Sequence, residues 1–423
     1  MNSLFEQEIA RRNFLGSLVT GGVTVAGLGA FVDPLAAAQL ASNQKRMVVI
    51  RMMGGLSQLE SWDPKPGTDT GGPYRAIPTS VPGIHISELL PHTAKQMHNL
   101  GLVRGINTKN GDHGKGTYMM MTGRHPMPGA EYPEIGAVVA KSMDTSDVSL
   151  PGHIKVAPNG TGARSADSAY LGPKYASMTI GGDKPLANSV RPTDLTDDAE
   201  VARNQIRNLV NGQFARKRRT AETDAYVQSF EQAEELVKRA DVFDLSKESA
   251  KDQERYGTHA FGRQCLMARR LLENEITFVQ IRHNDYDSHY ENFNFHHEQL
   301  GEFDKPFATL ISDLKESGML DSTLVVVLSE FGRTPKINSR YGRDHWGNAW
   351  SVCLAGCGIQ SGFAYGKTNK NGTEVIENEV DAGHLFHTYL KALGLKSTGK
   401  FEIGGRKFPM ADPAFGPIQE ILA

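Results

Sequence analysis

Carboxylates and histidines crowd one short stretch of this sequence, the run Asp-Tyr-Asp-Ser-His. Asp285, Asp287 and His289 stand two or four positions apart in it. Oxygen and nitrogen donors at this spacing can bind one divalent ion, because hard and borderline cations accept both kinds of ligand. Taken by itself, the spacing fits a solvated surface loop equally well.

Two further loops carry side chains of the same kind. Glu330 directly follows an apolar run, where a buried carboxylate needs a partner because burying a bare charge is costly. Either a metal ion or Arg333, in a structural ion pair, could be that partner. His345 lies in the run Gly-Arg-Asp-His-Trp, where metal ligation competes with an ion-pairing or capping role.

A glycine-rich loop precedes a predicted helix. It runs from Gly111 to Thr117 and includes His113 and Lys115. Backbone N–H groups at a helix start can hold an anion, although a loop with many glycines is more often only a turn. The spacing differs from that of a P-loop, so the loop gives no indication of nucleotide binding.

These loops are positioned by short apolar runs that predict strands. The runs lie within 45–55, 100–106, 276–281, 323–328 and 351–355, and helical patterns cover 118–121, 199–239, 256–275 and 297–317. Their alternation predicts an α/β fold with a doubly wound, mainly parallel sheet. Ligands bind at the carboxyl ends of such strands, so we expect the polar loops to meet at one edge. The charged segment at about 194–253 is interpreted as a helical insertion, a solvated cap or arm.

Length and composition narrow the function classes. A chain of 423 residues accommodates one large α/β domain with insertions. The formal net charge of −2 gives no reason to expect nucleic acid as a partner. Cys265, Cys353 and Cys357 are too few for a disulfide scaffold, and the last two lie in an apolar stretch that favours packing over a bridge.

The amino terminus has the pattern of an export signal. Arg11 and Arg12 precede a mild apolar run, and Ala36-Ala37-Ala38 follows as a cleavage site. This predicts a twin-arginine signal peptide at 1–38 and a mature domain at 44–423. An uncleaved anchor is the alternative, but the run is short for a membrane span. We expect export by the twin-arginine machinery to the periplasm or medium, with no stable membrane span after cleavage.

Five motifs together resemble one exported family. They are Trp-Asp-Pro-Lys-Pro at 62–66, Phe-Gly-Arg-Gln-Cys-Leu-Met-Ala-Arg-Arg-Leu at 261–271, Tyr-Asp-Ser-His at 286–289, Ser-Glu-Phe-Gly-Arg-Thr-Pro at 329–335 and Gly-Arg-Asp-His-Trp at 342–346. Their order resembles the domain-of-unknown-function 1501 family over nearly the whole mature chain. That family is similar in turn to the alkaline phosphatase and sulfatase superfamily. There a doubly wound sheet holds one or two divalent metals beside a Ser, Thr or formylglycine nucleophile.

This resemblance implies metal ligands. Asp285 and His289 match the superfamily's D-x-x-x-H pair, whereas Asp287 fits the family's own D-x-H better. Glu330 stands for the carboxylate of the superfamily's S-D-H-G element, although a phenylalanine replaces the following histidine. His345 matches the late metal histidine.

The resemblance also shows departures. The nucleophile position, nine residues before Thr122-Gly123, holds His113, which could ligate a metal or be phosphorylated but is not an alcohol. Thr117 is the fallback nucleophile. The aspartate ligand after the first strand is missing, and Glu60 and Asp63 are its candidate replacements.

The expected function is an exported hydrolase of sulfate or phosphate esters that uses one divalent ion, zinc, calcium or similar. The ion would polarise the ester oxygen and activate a water molecule. Lys115 and Arg333 would balance the charge of a small-molecule or glycan ester. The alternative is a non-catalytic metal- or glycan-binding protein that keeps the fold, as the missing alcohol and the replaced histidine suggest.

Overall fold

The structure is a computed structural model that describes residues 44–144, 150–158, 160–182, 195–218 and 221–423. The predicted signal peptide at 1–38 lies outside these residues and stays a prediction. Within the described ranges, no helix combines the length and the apolar character needed to cross a membrane.

The described ranges contain α-helices and β-strands, numbered here in chain order. The helices are α1 (Pro91–Gln96), α2 (His113–Thr122), α3 (Ile135–Ser142), α4 (Asp197–Arg218), α5 (Ala221–Lys238), α6 (Ala250–Tyr256), α7 (Ala260–Glu273), α8 (Asn292–Glu316) and α9 (Ala382–Ala392). The strands are β1 (Arg46–Met52), β2 (Ala76–Pro78), β3 (His85–Ser87), β4 (Leu100–Ile106), β5 (His153–Val156), β6 (Thr161–Arg164), β7 (Met178–Ile180), β8 (Phe278–His283), β9 (Thr323–Leu328), β10 (Gly332–Arg333), β11 (His345–Trp346), β12 (Trp350–Gly356), β13 (Phe363–Tyr365), β14 (Lys367–Thr368), β15 (Val375–Glu377), β16 (Lys400–Ile403) and β17 (Arg406–Pro409).

Nine of these strands form one sheet, in the order β13-β4-β12-β9-β1-β8-β5-β7-β6. The central strand β1 is parallel to both neighbours, so that Val48 pairs with Val279 on one side and Val325 on the other. Strands β12 and β6 run against their neighbours, and the remaining strands share one direction. The predicted mainly parallel α/β sheet is confirmed.

Helices cover both faces of the sheet, as in a doubly wound fold. Every residue of β1 is buried. Val48 and Ile50 pack into one apolar core, and Met47 and Val49 pack into the other. Side chains of α7 and α8 belong to the first core, and those of α2 and α9 to the second. A strand buried on both faces is mainly apolar, and β1 accordingly has a continuous apolar run from Met47 to Ile50 between Arg46 and Arg51.

The element predictions differ in accuracy. The strands at 100–106 and 323–328 coincide with β4 and β9, whereas the run at 276–281 begins two residues before β8. The run at 351–355 lies inside β12, which turns out to be antiparallel to β9. The short strands β5, β6 and β7 were not predicted, because three or four residues with polar members give too little pattern.

Helices α4 and α5 lie within the segment interpreted as an insertion. Side chains at the end of α5 and just beyond it, including Gln232 and Arg239, line a cavity of about 240 Å³. The same cavity is lined by Gly152 and Thr277, which directly precede β5 and β8. Helix α5 therefore contacts the rest of the fold at the amino-terminal edge of the sheet.

Candidate metal centre

Four acidic or histidine side chains meet at the opposite, carboxyl edge of the sheet. His113 follows β4, and Asp287 and His289 follow β8. His345 reaches the same edge by another route: it precedes β12, and an antiparallel strand has its amino end where its parallel neighbours have their carboxyl ends. We call His113, Asp287, His289 and His345 the histidine–aspartate cluster. This is the edge where open α/β sheets bind ligands.

Two of the histidines are oriented by oxygen acceptors behind their rings. His289 Nδ1 donates to Oδ1 of Asp344 at 2.8 Å, and His345 Nδ1 donates to the backbone carbonyl of Gly111 at 2.7 Å. Neither a carboxylate nor a carbonyl can donate, so the proton sits on Nδ1 in each ring. In the neutral rings both Nε2 atoms consequently present a lone pair.

His113 is held in the same way. Its Nδ1 donates to Oε1 of Glu330 at 2.8 Å. The buried Glu330 carboxylate is itself fixed, because it accepts a hydrogen bond from the backbone N–H of Gly54 at 2.9 Å. Glu330 thus lies behind His113 and orients its Nε2 towards the other members of the cluster.

The three Nε2 atoms converge on the carboxylate of Asp287. Oδ1 of Asp287 lies 3.1 Å from Nε2 of His345 and 3.2 Å from Nε2 of His289. The two histidine Nε2 atoms are 2.9 Å apart, and Nε2 of His113 is 3.3 Å from Oδ2 of Asp287. Lone pairs at these distances repel unless a proton or a cation lies between them.

These separations fit a shared metal ion. Neighbouring ligand atoms of a tetrahedral zinc site, with bonds near 2.0–2.1 Å, are about 3.3 Å apart. Ligand atoms of His113, Asp287 and His345 all lie within 4.8 Å of one another. His289 stands outside this set of three but adjoins it, through its contacts with Asp287 and His345. A second hydrogen bond that fixes each ligating histidine is the usual arrangement around protein-bound metals.

Arg333 fixes the carboxylate at the middle of the cluster. Its fully buried guanidinium donates to Oδ1 of Asp287 at 2.5 Å, to the carbonyl of Gly55 at 2.9 Å and to that of Arg343 at 3.0 Å. Burial raises the pKa of Asp287, but the hydrogen bond and charge of Arg333, with help from His345, outweigh burial and bring it to about 2. The donors of Arg333 are used on protein atoms, so it positions Asp287.

An aromatic ring forms the base of the cluster. Phe331 is fully buried, and its ring centroid lies 4.8 Å from that of His113 and 4.5 Å from that of His345. Burial lowers the pKa of His345, although the hydrogen bond that the protonated ring donates to Asp287 opposes the shift. Phe331, which stands in place of a histidine in the resemblance drawn from the sequence, therefore packs against the metal-ligand candidates instead of adding one.

Two glycines permit the close approach of the loops. A Cβ atom on Gly116, in α2, would lie 2.6 Å from the backbone carbonyl oxygen of Glu330. Gly54 has a φ of +113°, and a Cβ there would lie 2.5 Å from the backbone nitrogen of Asp287. Larger residues at either position would separate loops that carry the cluster.

The structure distinguishes between the two aspartates of the D-Y-D-S-H run. Asp287 joins the cluster, whereas Asp285 is exposed at a φ of 71° and makes no hydrogen bond to the cluster within the described ranges. The carboxylate of the centre is thus the one in the D-x-H spacing.

The remaining predicted residues lie near the cluster without joining it. The exposed Lys115 sits in the first turn of α2, where its backbone N–H donates to Asp112 at 2.8 Å. The hydroxyl of Thr117 accepts a hydrogen bond from Arg51 at 2.9 Å. Among the described residues, no hydroxyl hydrogen-bonds to the four cluster side chains.

The acidic residues considered as replacements for the first-strand ligand point elsewhere. Glu60 is fully buried and forms a two-pronged ion pair with Arg343, at 2.8 and 3.0 Å. Asp63 pairs with Lys65 at 2.9 Å and accepts from the hydroxyl of Thr368. The Glu60–Arg343 pair anchors the loop that carries His345, which is a structural role.

Sequence reasoning missed the part played by Asp344. It directly precedes His345 in the Gly-Arg-Asp-His-Trp motif, where the sequence indicates only that metal ligation competes with an ion-pairing or capping role. Asp344 in fact accepts a hydrogen bond from His289. It can do so because strands β10 and β11 pair with Arg333 opposite His345, which fixes the position of Asp344. No local pattern in the sequence encodes that register.

The model of a family described as "Protein of unknown function (DUF1501)" matches residues 44–422. The chain belongs to the DUF1501 family. The resemblance found in the sequence is confirmed. In this DUF1501 protein the motifs at 286–289 and 342–346 supply three members of the cluster, and the motif at 329–335 supplies Glu330 and Arg333 behind them. The motif at 261–271 lies in α7 and packs into the core.

Comparison with known proteins adds distant structural likenesses, and no curated protein matches this DUF1501 chain in sequence. The PsFucS1 sulfatase from Pseudoalteromonas sp. is 13% identical, with 96% of this chain and 80% of that one covered and a TM-score of 0.40. Alkaline phosphatase from the Antarctic bacterium TAB5 is 14% identical, with coverages of 83% and 99% and a TM-score of 0.38. The lipoteichoic acid synthase LtaP from Listeria monocytogenes is 10% identical, with coverages of 91% and 78% and a TM-score of 0.39. These likenesses are too distant to assign an activity, so the site's own residues must carry that assignment.

Proposed function

We propose that this DUF1501 protein is an exported, metal-dependent hydrolase of sulfate or phosphate esters. One observation carries the proposal. Three histidines, each with Nδ1 held by an oxygen acceptor, direct their Nε2 atoms at the single carboxylate of Asp287. Such an arrangement makes lone pairs repel unless a proton or a cation lies between them, and a divalent ion can be shared by these ligand atoms.

The donor set favours zinc or a comparable ion over calcium. Three imidazole nitrogens and one carboxylate oxygen suit a borderline cation, whereas calcium takes six to eight oxygen ligands. His113, Asp287, His289 and His345 would hold the ion. Glu330, Asp344 and Arg333 would position these ligands from behind.

The cluster is open enough to receive a substrate. The side chains of Asp287, His113 and His289 are 48%, 41% and 40% exposed. When bound, a divalent ion supplies a positive charge that polarises an ester oxygen and lowers the pKa of a coordinated water. Water is the proposed nucleophile, because no hydroxyl of the described residues hydrogen-bonds to the cluster and that of Thr117 accepts a hydrogen bond from Arg51.

An anionic substrate suits the neighbouring helix start. Lys115 extends from the first turn of α2 and is exposed, so its ammonium group can approach a sulfate or phosphate at the cluster. The helix dipole adds a partial positive charge at the same end. Sulfate and phosphate esters of small molecules and of glycans both carry the negative charge that this site would bind.

The amino-terminal sequence supports the exported part of the proposal. A twin-arginine signal would place the mature chain in the periplasm or outside the cell, and that pathway carries folded proteins. Metal could then be bound before export.

One observation favours a second candidate function, metal or glycan binding without catalysis. The position at which the superfamily carries its alcohol nucleophile holds His113, and this histidine points into the cluster as a ligand candidate. A protein with a metal-ligating histidine in place of the alcohol nucleophile can still bind the metal ion but lack hydrolytic activity.

Elemental analysis of protein purified after export tests the proposal. We expect a near-stoichiometric divalent ion in the wild type that is lost in His289→Ala and in His345→Ala. His297→Ala serves as the matched control, because His297 is an exposed histidine of α8 outside the cluster. The wild type and His297→Ala should also hydrolyse an aryl sulfate or phosphate in a metal-dependent reaction, whereas His289→Ala and His345→Ala should not.

The outcomes separate the two candidates. Bound metal with turnover of an ester supports the hydrolase. Bound metal without turnover of any ester tested supports the binding protein. A folded, exported wild type without metal would overturn the hydrolase and favour the second candidate in its glycan-binding form.

A further inference from the structure

Helix α4 presents an apolar stripe to solvent. Ile206, Leu209, Val210 and Phe214 are 65%, 63%, 54% and 49% exposed. At about 3.6 residues per turn these four side chains fall on one side of the helix. Together with Val201 they make up half of the large apolar side chains that are exposed in the described part of the chain.

The side of α4 that packs against its own domain is polar instead. Asn204 and Arg207 contact Glu234 of α5 at 3.3 and 3.5 Å, and the Arg207 guanidinium lies over the ring of Phe230. The order of these contacts makes α4 and α5 antiparallel. A surface helix of a monomeric protein normally has the reverse arrangement, with its apolar stripe towards the core and its polar side in water.

This inverted arrangement indicates a missing partner. Single exposed apolar residues are ordinary, but a contiguous apolar stripe on a helix of about 33 Å is typical of an interface. Pairing of two such α4–α5 units would bury both stripes in the manner of a four-helix bundle.

We infer that the stripe is covered by α4 of a second copy of this chain, packed antiparallel about a two-fold axis. The charges of the helix decide the orientation. Its first turn carries Asp198 and Glu200, and its last turn carries Arg216 followed by Lys217 and Arg218 in the sequence. Antiparallel packing sets the acidic end of each helix beside the basic end of the other, whereas parallel packing sets like charges together.

Asp198 and Arg216 lie where they could form ion pairs between two antiparallel copies of the helix. Asp198 and Arg216 are eighteen positions apart, which is about five whole turns, so both flank the stripe on the same side. In an antiparallel pair equivalent flanks face each other, which brings Asp198 of one copy near Arg216 of the other.

The location of the insertion leaves the metal centre free. Helix α5 reaches the fold at the amino-terminal edge of the sheet, through the cavity that it lines with Gly152 and Thr277. The histidine–aspartate cluster lies at the carboxyl edge. A dimer formed through α4 therefore keeps both clusters accessible, and this inference does not depend on the proposed hydrolase activity.

Sedimentation velocity of the exported chain over a concentration series tests the inference. We expect a dimer in the wild type and a rise of at least about a hundredfold in the dissociation constant of the double variant Ile206→Glu, Leu209→Glu. Both side chains are exposed, so the charges leave the fold intact, as circular dichroism will check. Val201→Glu, on the same helix but off the stripe, is the matched control and should remain dimeric.

A charge exchange tests the antiparallel orientation. Asp198→Arg and Arg216→Asp should each weaken the dimer, and the double exchange should restore it. A wild type that stays monomeric up to about 100 µM overturns the inference. The inference is also overturned if this monomer binds lipid vesicles through the stripe. A dimer that survives the double glutamate variant uses another surface and overturns it as well.

Discussion

At the scale of single residues, the acceptors behind the histidines decide what the cluster can do. Glu330, Asp344 and the carbonyl of Gly111 fix the Nδ1 proton of each ring. Without them the imidazoles could turn or change tautomer, and the Nε2 lone pairs would not meet. These acceptors contribute to the site although none of them is a proposed ligand.

Removal of one such acceptor should weaken metal binding without removing a ligand. We expect Asp344→Ala to lower zinc affinity by about 10–100-fold, because His289 loses the carboxylate that orients it. Calorimetric titration of chelator-treated protein with zinc measures the effect. Asp285→Ala is the control, since that exposed aspartate lies outside the cluster. Equal losses in the two variants would contradict the roles assigned to both aspartates.

At the scale of elements, the start of α2 must approach the end of β9 closely enough for His113 to reach Glu330. Gly116 makes this approach possible, because even a methyl group there would meet the backbone of Glu330. Packing of helix against loop, rather than helix propensity, explains a glycine at this position.

Two alanine substitutions in α2 should have opposite effects on stability. Gly116→Ala should lower the free energy of unfolding by about 1–3 kcal/mol, since the new Cβ atom overpacks against a backbone carbonyl. Gly114→Ala should leave it unchanged or raise it by up to about 1 kcal/mol, because a Cβ there meets only Asp112 at an ordinary 3.4 Å. Urea unfolding measures both. Equal changes in the two variants would remove the packing argument.

At the scale of the whole molecule, one buried carboxylate ties together the outer strands of the sheet. Asp167 accepts from Lys155 of β5 at 2.5 Å and from the backbone N–H of Ser177 at 2.9 Å. Burial raises the pKa of Asp167, but the charges of His153 and Lys155 and these hydrogen bonds lower it to about 2. Its pKa in the unfolded chain is near the ordinary value of 3.8.

This shift predicts acid sensitivity. A carboxylate with a depressed folded-state pKa stabilises the protein above its unfolded pKa, and this stabilisation is lost as the pH falls towards about 2. We expect the advantage of wild type over Asp167→Asn in free energy of unfolding to shrink by about 1–2 kcal/mol between about pH 5.5 and pH 2.5. Urea unfolding at each pH measures it. An advantage that stays constant would show that the depressed pKa does not contribute to stability.

The sequence by itself determined the family, the α/β class and the apolar strands. Strands β4 and β9 were predicted residue for residue, because strands buried on both faces are mainly apolar and Arg104 is the one charged residue of the two. The motifs and the glycine-rich loop likewise included the four cluster residues among their candidates. These features depend on residues that are close together along the chain.

Only the tertiary structure decided which candidates meet. Because β12 is antiparallel to β9, His345 lies at the same edge of the sheet as Asp287. The register between β10 and β11 places Asp344 within hydrogen-bonding distance of His289. The same holds for α4, whose pattern contains an apolar stripe without saying which side the domain covers. Strand direction, register and the covered side of a helix are set by contacts between residues far apart in sequence, and local patterns do not encode such contacts.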